Sequence, residues 1–246
     1  MANITVRTSV TLDAPMLVEG LPGVGLVGKL ATDHLVDQLE MTHVASVGCA
    51  GLPRVAVYRE DRRTLQPPVR LYADEEHDLL ALQSDVPVSP SSATEFVGCL
   101  TDWIADRDAT PLYLSGLASQ HETDEPPAVF GAATGDGGQL LEEVGLDLPP
   151  ESGVVSGPTG ALLDEAGRRD LAALSLVVES DPRFPDPEAA RQLLVEAVQP
   201  LTGVEVDTDT LIEQAEQIQD QKEQLAARMR QAEDESSRAQ PLRMFQ

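Results

Sequence analysis

Beginning at Met16 the chain reads MLVEGLPGVGLVGKLATDHLVDQL, and this stretch restricts the fold more than any other. Residues suited to a buried strand run into a turn carrying Gly23, Gly25 and Gly28. From Val24 to Leu39, Leu26, Val27, Leu30, Ala31, Leu35 and Leu39 then recur at helical spacing. A strand that turns sharply into an amphipathic helix opens a βα unit, and its helix must cover a sheet. Similar units follow. ITVRTSV, HVASVGC and RVAVYR are β-rich, and VRLYAD and LLALQS flank the acidic turn DEEHD. SPSSATEFVGCLTDWIADRD has a Ser and Pro start, Glu95 in its first turn and Phe96, Leu100, Trp103 and Ile104 on one stripe, which predicts a helix. TPLYLSG and AVFGAATG read as short strands, the second leading into a helix over 138–144. SGVVSGPTGALLDEAGRRDLAALSLVVES reads as strand, Gly-rich turn with Gly157 and Gly160, helix and apolar strand, and DPEAARQLLVEAVQPLTG as a capped helix. Such alternation predicts an α/β fold with a mostly parallel, doubly wound sheet over residues 1–205.

The glycine turn satisfies two nucleotide signatures incompletely. Gly23, Gly25 and Gly28 spell G-x-G-x-x-G, but the next strand ends VGCAGLP and offers no acid for a ribose hydroxyl. Gly23, Gly28 and Lys29 spell a P-loop, but Leu30 stands where Ser or Thr would ligate magnesium. Glycines without those partners serve a tight turn and close helix–sheet packing. No cofactor is expected, and valine at Gly23 or Gly25 should destabilise the fold wherever φ is positive. Ser115 and Ser156 precede glycine outside any G-x-S-x-G and read as turn formers.

Charge narrows the partners. The chain holds 42 acids against 17 bases, a net charge of -25, yet keeps 41% hydrophobic residues. Lys29 and Lys222 are its lysines; the other bases are arginines. A disordered acidic tail would lack that apolar content. The composition fits a folded, halophilic surface in molar salt, where a Debye length of ~3 Å screens self-repulsion. The expected result is a melting temperature that climbs steeply between low and molar KCl. A melting temperature flat over that range would remove the halophilic reading. With so many acids, no carboxylate pair can be singled out as catalytic. The same charge argues against nucleic acid, which needs a basic patch. Cys49 and Cys99 stand alone, and His34, His43, His77 and His121 show no metal-ligand spacing, so no metal is expected. MANITVRTSV has no signal-peptide pattern and no apolar run approaches membrane-spanning length, which points to the cytoplasm and away from a membrane.

The last forty residues differ. From Thr208 to Arg238 there is no Gly or Pro, and Leu211, Ile218, Leu225 and Ala232 recur every seven residues, with Ala215 and Met229 between them. This predicts a long helix over 206–238, packed either on its own domain or against another subunit. Pro241 then ends it, and a flexible tail, 239–246, closes on Met244, Phe245 and Gln246.

Taken in order, three segments carry a resemblance. EGLPGVGLVGKLATDHLVDQL, SGPTGALLDEAGRRDLAALSLVVES and PDPEAARQLLVEAVQPLTGVEVDTDTLIEQA resemble the proteasome assembly chaperone family as found in archaea, here in a haloarchaeal form, over about residues 15–215. The resemblance implies a nucleoside-phosphorylase-like α/β fold and no catalytic residues. It also implies a homo-oligomer that binds proteasome α subunits or the α ring. Proteasome activators and some archaeal members end in a hydrophobic residue, tyrosine and any residue. Met244, Phe245 and Gln246 are similar to that tail but lack the tyrosine hydroxyl. The alternative is an enzyme or small-molecule (nucleoside or nucleotide) binder using the turns near Gly23 and Gly157.

Overall fold

The computed structural model describes residues 3–48, 52–60, 62–119, 126–219 and 221. The first βα unit forms as its sequence dictates: β2 (Met16–Gly20) runs through one turn of 3-10 helix (Val24–Leu26) into α1 (Val27–Gln38). Around it the chain adds β1 (Asn3–Val6), β3 (Thr42–Gly48), β4 (Val57–Arg59), β5 (Arg62–Gln66), β6 (Val69–Asp74), β7 (Leu79–Ser84), α2 (Pro90–Ala105), β8 (Thr110–Ala118), β9 (Val129–Thr134), α3 (Gly137–Glu143), α4 (Gly157–Arg168), β10 (Ala173–Ser180), α5 (Pro187–Leu193) and α6 (Gln199–Thr202). Eight strands make one sheet in the order β1-β3-β6-β7-β2-β8-β10-β9, and β4 and β5 make a separate two-stranded sheet. β2 is central: Val18 lies opposite Ala81 of β7 on one side and Leu112 of β8 on the other, both in parallel.

Alternation along the strands assigns the two faces. Val18, Leu79, Ala81, Leu112, Leu114, Leu174 and Leu176 face α1 and α5, while Leu17, Leu80, Leu82, Tyr113 and Ala173 face α2 and α4. On α2, Phe96, Leu100 and Ile104 are almost fully buried, spaced so that they share one side of the helix. Pro90 opens α2 with its fixed φ at a position where the missing N–H costs nothing. Asp186 caps α5 by accepting from the Ala189 N–H at 3.0 Å. Between α5 and α6 the helix widens to a π-turn, Leu194–Val198, just before Pro200, whose ring would clash with the carbonyl four residues back in a regular helix.

The parallel sheet is realised at its centre, in β7, β2, β8 and β10. Its flanks are antiparallel: β1 with β3, β3 with β6, β6 with β7, and β9 with β10. The turn DEEHD is too short for a parallel crossover, so β6 and β7 close as a hairpin. Helices cover both faces. The segment SGVVS, read as a strand, instead forms an irregular approach to α4. Residues 209–219 are helical, with Leu211 buried in the layer of α1 and α5 and Ala215 and Ile218 less exposed than their neighbours. The expected remainder of that helix, and the tail with Met244, Phe245 and Gln246, lie outside the described residues.

Candidate functional site

The C-terminal ends of the parallel strands, where α/β folds bind ligands, gather both glycine turns and most of the buried charge. Gly25 has φ +60°, and the position its Cβ would take is 1.9 Å from Ser180 Oγ at the end of β10. Its carbonyl accepts from the Asp186 N–H at 2.9 Å, and Asp186 in turn accepts from Ser180 Oγ at 3.1 Å. A Cβ on Gly28 would meet Leu114 at 3.3 Å, and one on Gly116 of β8 would lie 2.5 Å from the Val24 carbonyl oxygen. The cradle of the first turn is thus filled by β8 and the β10–α5 connection. Gly23 departs from the expectation of strain: its φ is -139° and nothing lies within 4 Å of its Cβ position. In the second turn Gly157 has φ +70°, and a Cβ on Gly160 would sit 2.2 Å from the Val155 carbonyl oxygen.

Lys29, the P-loop-like lysine, is engaged by two carboxylates. Its Nζ lies 2.7 Å from Asp33 Oδ2, one helical turn on, and 3.2 Å from Asp85 Oδ1 beyond the end of β7. Arg70 on β6 is fully buried and reaches Asp85 Oδ2 at 2.6 Å, and Arg59 of β4 reaches Asp85 Oδ1 at 3.2 Å. The Arg70 Nε also donates to Tyr72 OH and Gln83 Oε1, while Gln83 Nε2 donates to Asp33 Oδ1 at 2.7 Å. Burial alone would raise the Asp85 carboxyl, but the Arg70 guanidinium, joined by Lys29, holds it below the usual carboxylate range. Three cations and two anions satisfy one another here. With two carboxylates already on the Lys29 ammonium, a phosphate approaching it would meet repulsion from Asp33 and Asp85.

On the other face of the sheet a polar row crosses three strands: Glu19 of β2 lies opposite Tyr113 of β8, which lies opposite Ser175 of β10. Glu19 is fully buried. Its Oε1 accepts from Thr159 Oγ1 at 3.1 Å, in the first turn of α4, and from the Leu21 N–H at 3.3 Å. Burial pushes its carboxyl up to about 8 despite those donors. Glu19 Oε2, Tyr113 OH and Ser175 Oγ have no hydrogen-bond partner in the protein. Burial, with the Glu19 charge adding, also raises the Tyr113 hydroxyl. At the opposite end of the sheet a cavity of about 570 Å³ is lined by Leu12, Pro15, Leu80, Trp103 and Arg107, whose guanidinium stacks 4.0 Å above the Trp103 ring.

Among the described residues no group of three or more His, Cys, Asp or Glu could hold a metal ion, and no helix is long and apolar enough to cross a membrane. Sequence reasoning found the glycine turns but missed the Arg70–Asp85–Lys29 network and the Glu19 row. The available signal was a single acid, or a single arginine, inside otherwise apolar strands.

A family model described as the PAC2 family matches residues 17–226. An uncharacterized protein of Methanocaldococcus jannaschii is 25% identical over 222 residues, covering 89% of each chain. Among solved structures, Pyrococcus furiosus PbaA, an archaeal homolog of proteasome-assembly chaperone, superposes with a TM-score of 0.78 at 26% identity, covering 95% of this chain and 100% of its own. PbaB of the same organism, an archaeal proteasome activator, superposes with a TM-score of 0.77 at 25% identity, covering 92% and 98%.

Proposed function

The chain belongs to the PAC2 family, and from that membership we propose that it is a non-enzymatic chaperone or adaptor that binds proteasome core-particle α subunits or their ring. The observation that carries this reading is the match to PbaA over nearly the whole of both chains. The filled first turn supports it too. A side chain at 25, 28 or 116 would collide with Ser180, Leu114 or the Val24 carbonyl, so these glycines serve the close packing of the turn and α1 on the sheet. The turn at Gly157, with its positive φ, and Gly160, which faces the Val155 carbonyl, shapes the entry to α4.

Binding is proposed to run through Met244, Phe245 and Gln246. Two apolar side chains contribute ~1.5–3 kcal/mol each when fully buried, less the cost of ordering the segment, so one tail binds weakly. A homo-oligomer that offers several tails to a symmetric α ring gains through effective concentration. The acidic surface leaves nucleic acid and anionic membranes outside its partners. Deleting the last three residues is expected to abolish capture of α subunits in molar salt while leaving the fold and oligomer intact, and Phe245→Tyr to tighten it. Equal capture by the truncated chain would sink the tail. No capture by the full chain would sink the proteasome role itself.

A further inference from the structure

Two surfaces of this molecule expose apolar side chains among charges of opposite sign. One is the β4–β5 hairpin. Val57 pairs with Gln66, which is buried, and Tyr58 and Leu65, the next residue of each strand towards the turn, are exposed beside a shift in register. Tyr58 is 84% and Leu65 65% exposed, with Val55 exposed just before them. Residues 54–66 carry Arg54, Arg59, Arg62 and Arg63 against Glu60 and Asp61, and with Arg59 paired to Asp85 the segment still keeps a small positive excess in a chain of net charge -25. The hairpin is held in place beforehand: Arg59 pairs with Asp85 and Arg70 donates to the Pro67 carbonyl. Little ordering cost remains for whatever it meets.

The other surface follows α3. Leu146 packs inward and the Asp147 carbonyl accepts from the Gly131 N–H of β9, which ties the start of the segment 145–156 to the edge of the sheet. From there Leu148 and Val154 project, 82% and 92% exposed. Glu142, Glu143, Asp147 and Glu151 flank them in the sequence, and no base occurs between Gly137 and Ser156.

These surfaces do not belong to one neighbourhood. The hairpin joins β3 to β6, and β7, β2, β8 and β10 lie between β6 and β9 in the sheet. At ~4.8 Å per strand the separation is about 24 Å. We propose that the β4–β5 hairpin of one copy docks on the 145–156 segment of a second copy, a head-to-tail contact between identical chains. The proposal rests on the homo-oligomer reading above and names its interface. Charge complementarity selects the occupant. A basic, apolar hairpin on an acidic molecule meets its opposite on every other copy, and the arginines offset repulsion that would otherwise oppose self-association. Because the two surfaces differ, an open row of copies keeps one of each unused at its ends until the contacts close into a ring.

Sedimentation in molar KCl tests this with two paired variants, Tyr58→Asp with Leu65→Asp, and Leu148→Asp with Val154→Asp. All four positions are exposed, so thermal midpoints should match the wild type. The wild type is expected as a multimer and each variant alone as single subunits. An equimolar mixture of the two variants is expected at twice the subunit mass, since one intact hairpin then meets one intact acidic segment. Wild-type chains that sediment singly would overturn the contact and the homo-oligomer together. Variants that keep the wild-type mass would overturn the contact alone. A mixture that stays at one subunit would overturn the pairing of the two surfaces.

Discussion

Gly25→Val is expected to leave little folded protein under conditions where the wild type is stable. Valine at φ +60° carries about 1–3 kcal/mol of backbone strain, and its Cβ would fall almost on Ser180 Oγ, where overpacking adds about 1–3 kcal/mol more. Ser180 cannot retreat cheaply, because its hydroxyl donates to Asp186, which also caps α5. The sum, about 2–6 kcal/mol, is a large share of the 5–15 kcal/mol that holds a typical domain together. Gly23→Val is the internal comparison. Its backbone is extended and open, so denaturant midpoints should stay close to the wild type. Equal loss at both positions would mean that the turn fails for a reason other than the positive φ and the contact with Ser180.

Glu19→Gln is expected to change how stability depends on pH. The folded protein keeps the Glu19 proton up to about pH 8, while the unfolded chain releases it near the ordinary value of 4.5. Between those values the folded state binds more protons than the unfolded one, so stability falls as pH rises. The contribution is fully present below pH 4.5 and lost once pH passes 8. A shift of that size corresponds to a difference on the order of 5 kcal/mol. Glutamine has nothing to ionise there. Urea unfolding of both proteins from pH 5 to pH 8.5 should therefore show the variant gaining on the wild type across the range. The other acids titrate in both proteins and cancel in the difference. Parallel profiles would mean that Glu19 is ionised in the folded protein.

The elements most legible in the sequence were those whose local signals and burial agree. The stripe Phe96, Leu100, Trp103 and Ile104 predicted α2, and the apolar run before Ser180 predicted β10. Helix α1 began later than its periodicity suggested, because Gly25 and Leu26 both take positive φ and interrupt it. Strand direction was harder to read. β6 buries apolar residues as fully as the parallel centre does, and only the short turn DEEHD marks it as the partner of an antiparallel hairpin. Glu19 and Arg70 were invisible for a different reason. In a chain with 42 acids a buried carboxylate looks like any other until its neighbours are placed, and Arg70 meets Asp85 only through the pairing of β6 with β7. Family resemblance, carried on three ordered segments, reached further than any single motif, and PAC2 membership agrees with it.

The central position of β2 also governs the order in which this chain can assemble. β6 and β7 are joined by a tight turn and can pair as soon as both exist. β2 must wait: its partners begin at Leu79 and Thr110, so seating it on β8 closes a loop of about 90 residues. Closure on that scale is paid in entropy before the sheet returns any burial, which places such a chain among slow-folding, non-local topologies. During synthesis the strand–glycine–helix unit therefore emerges early and stays unpaired until much of the protein has followed it.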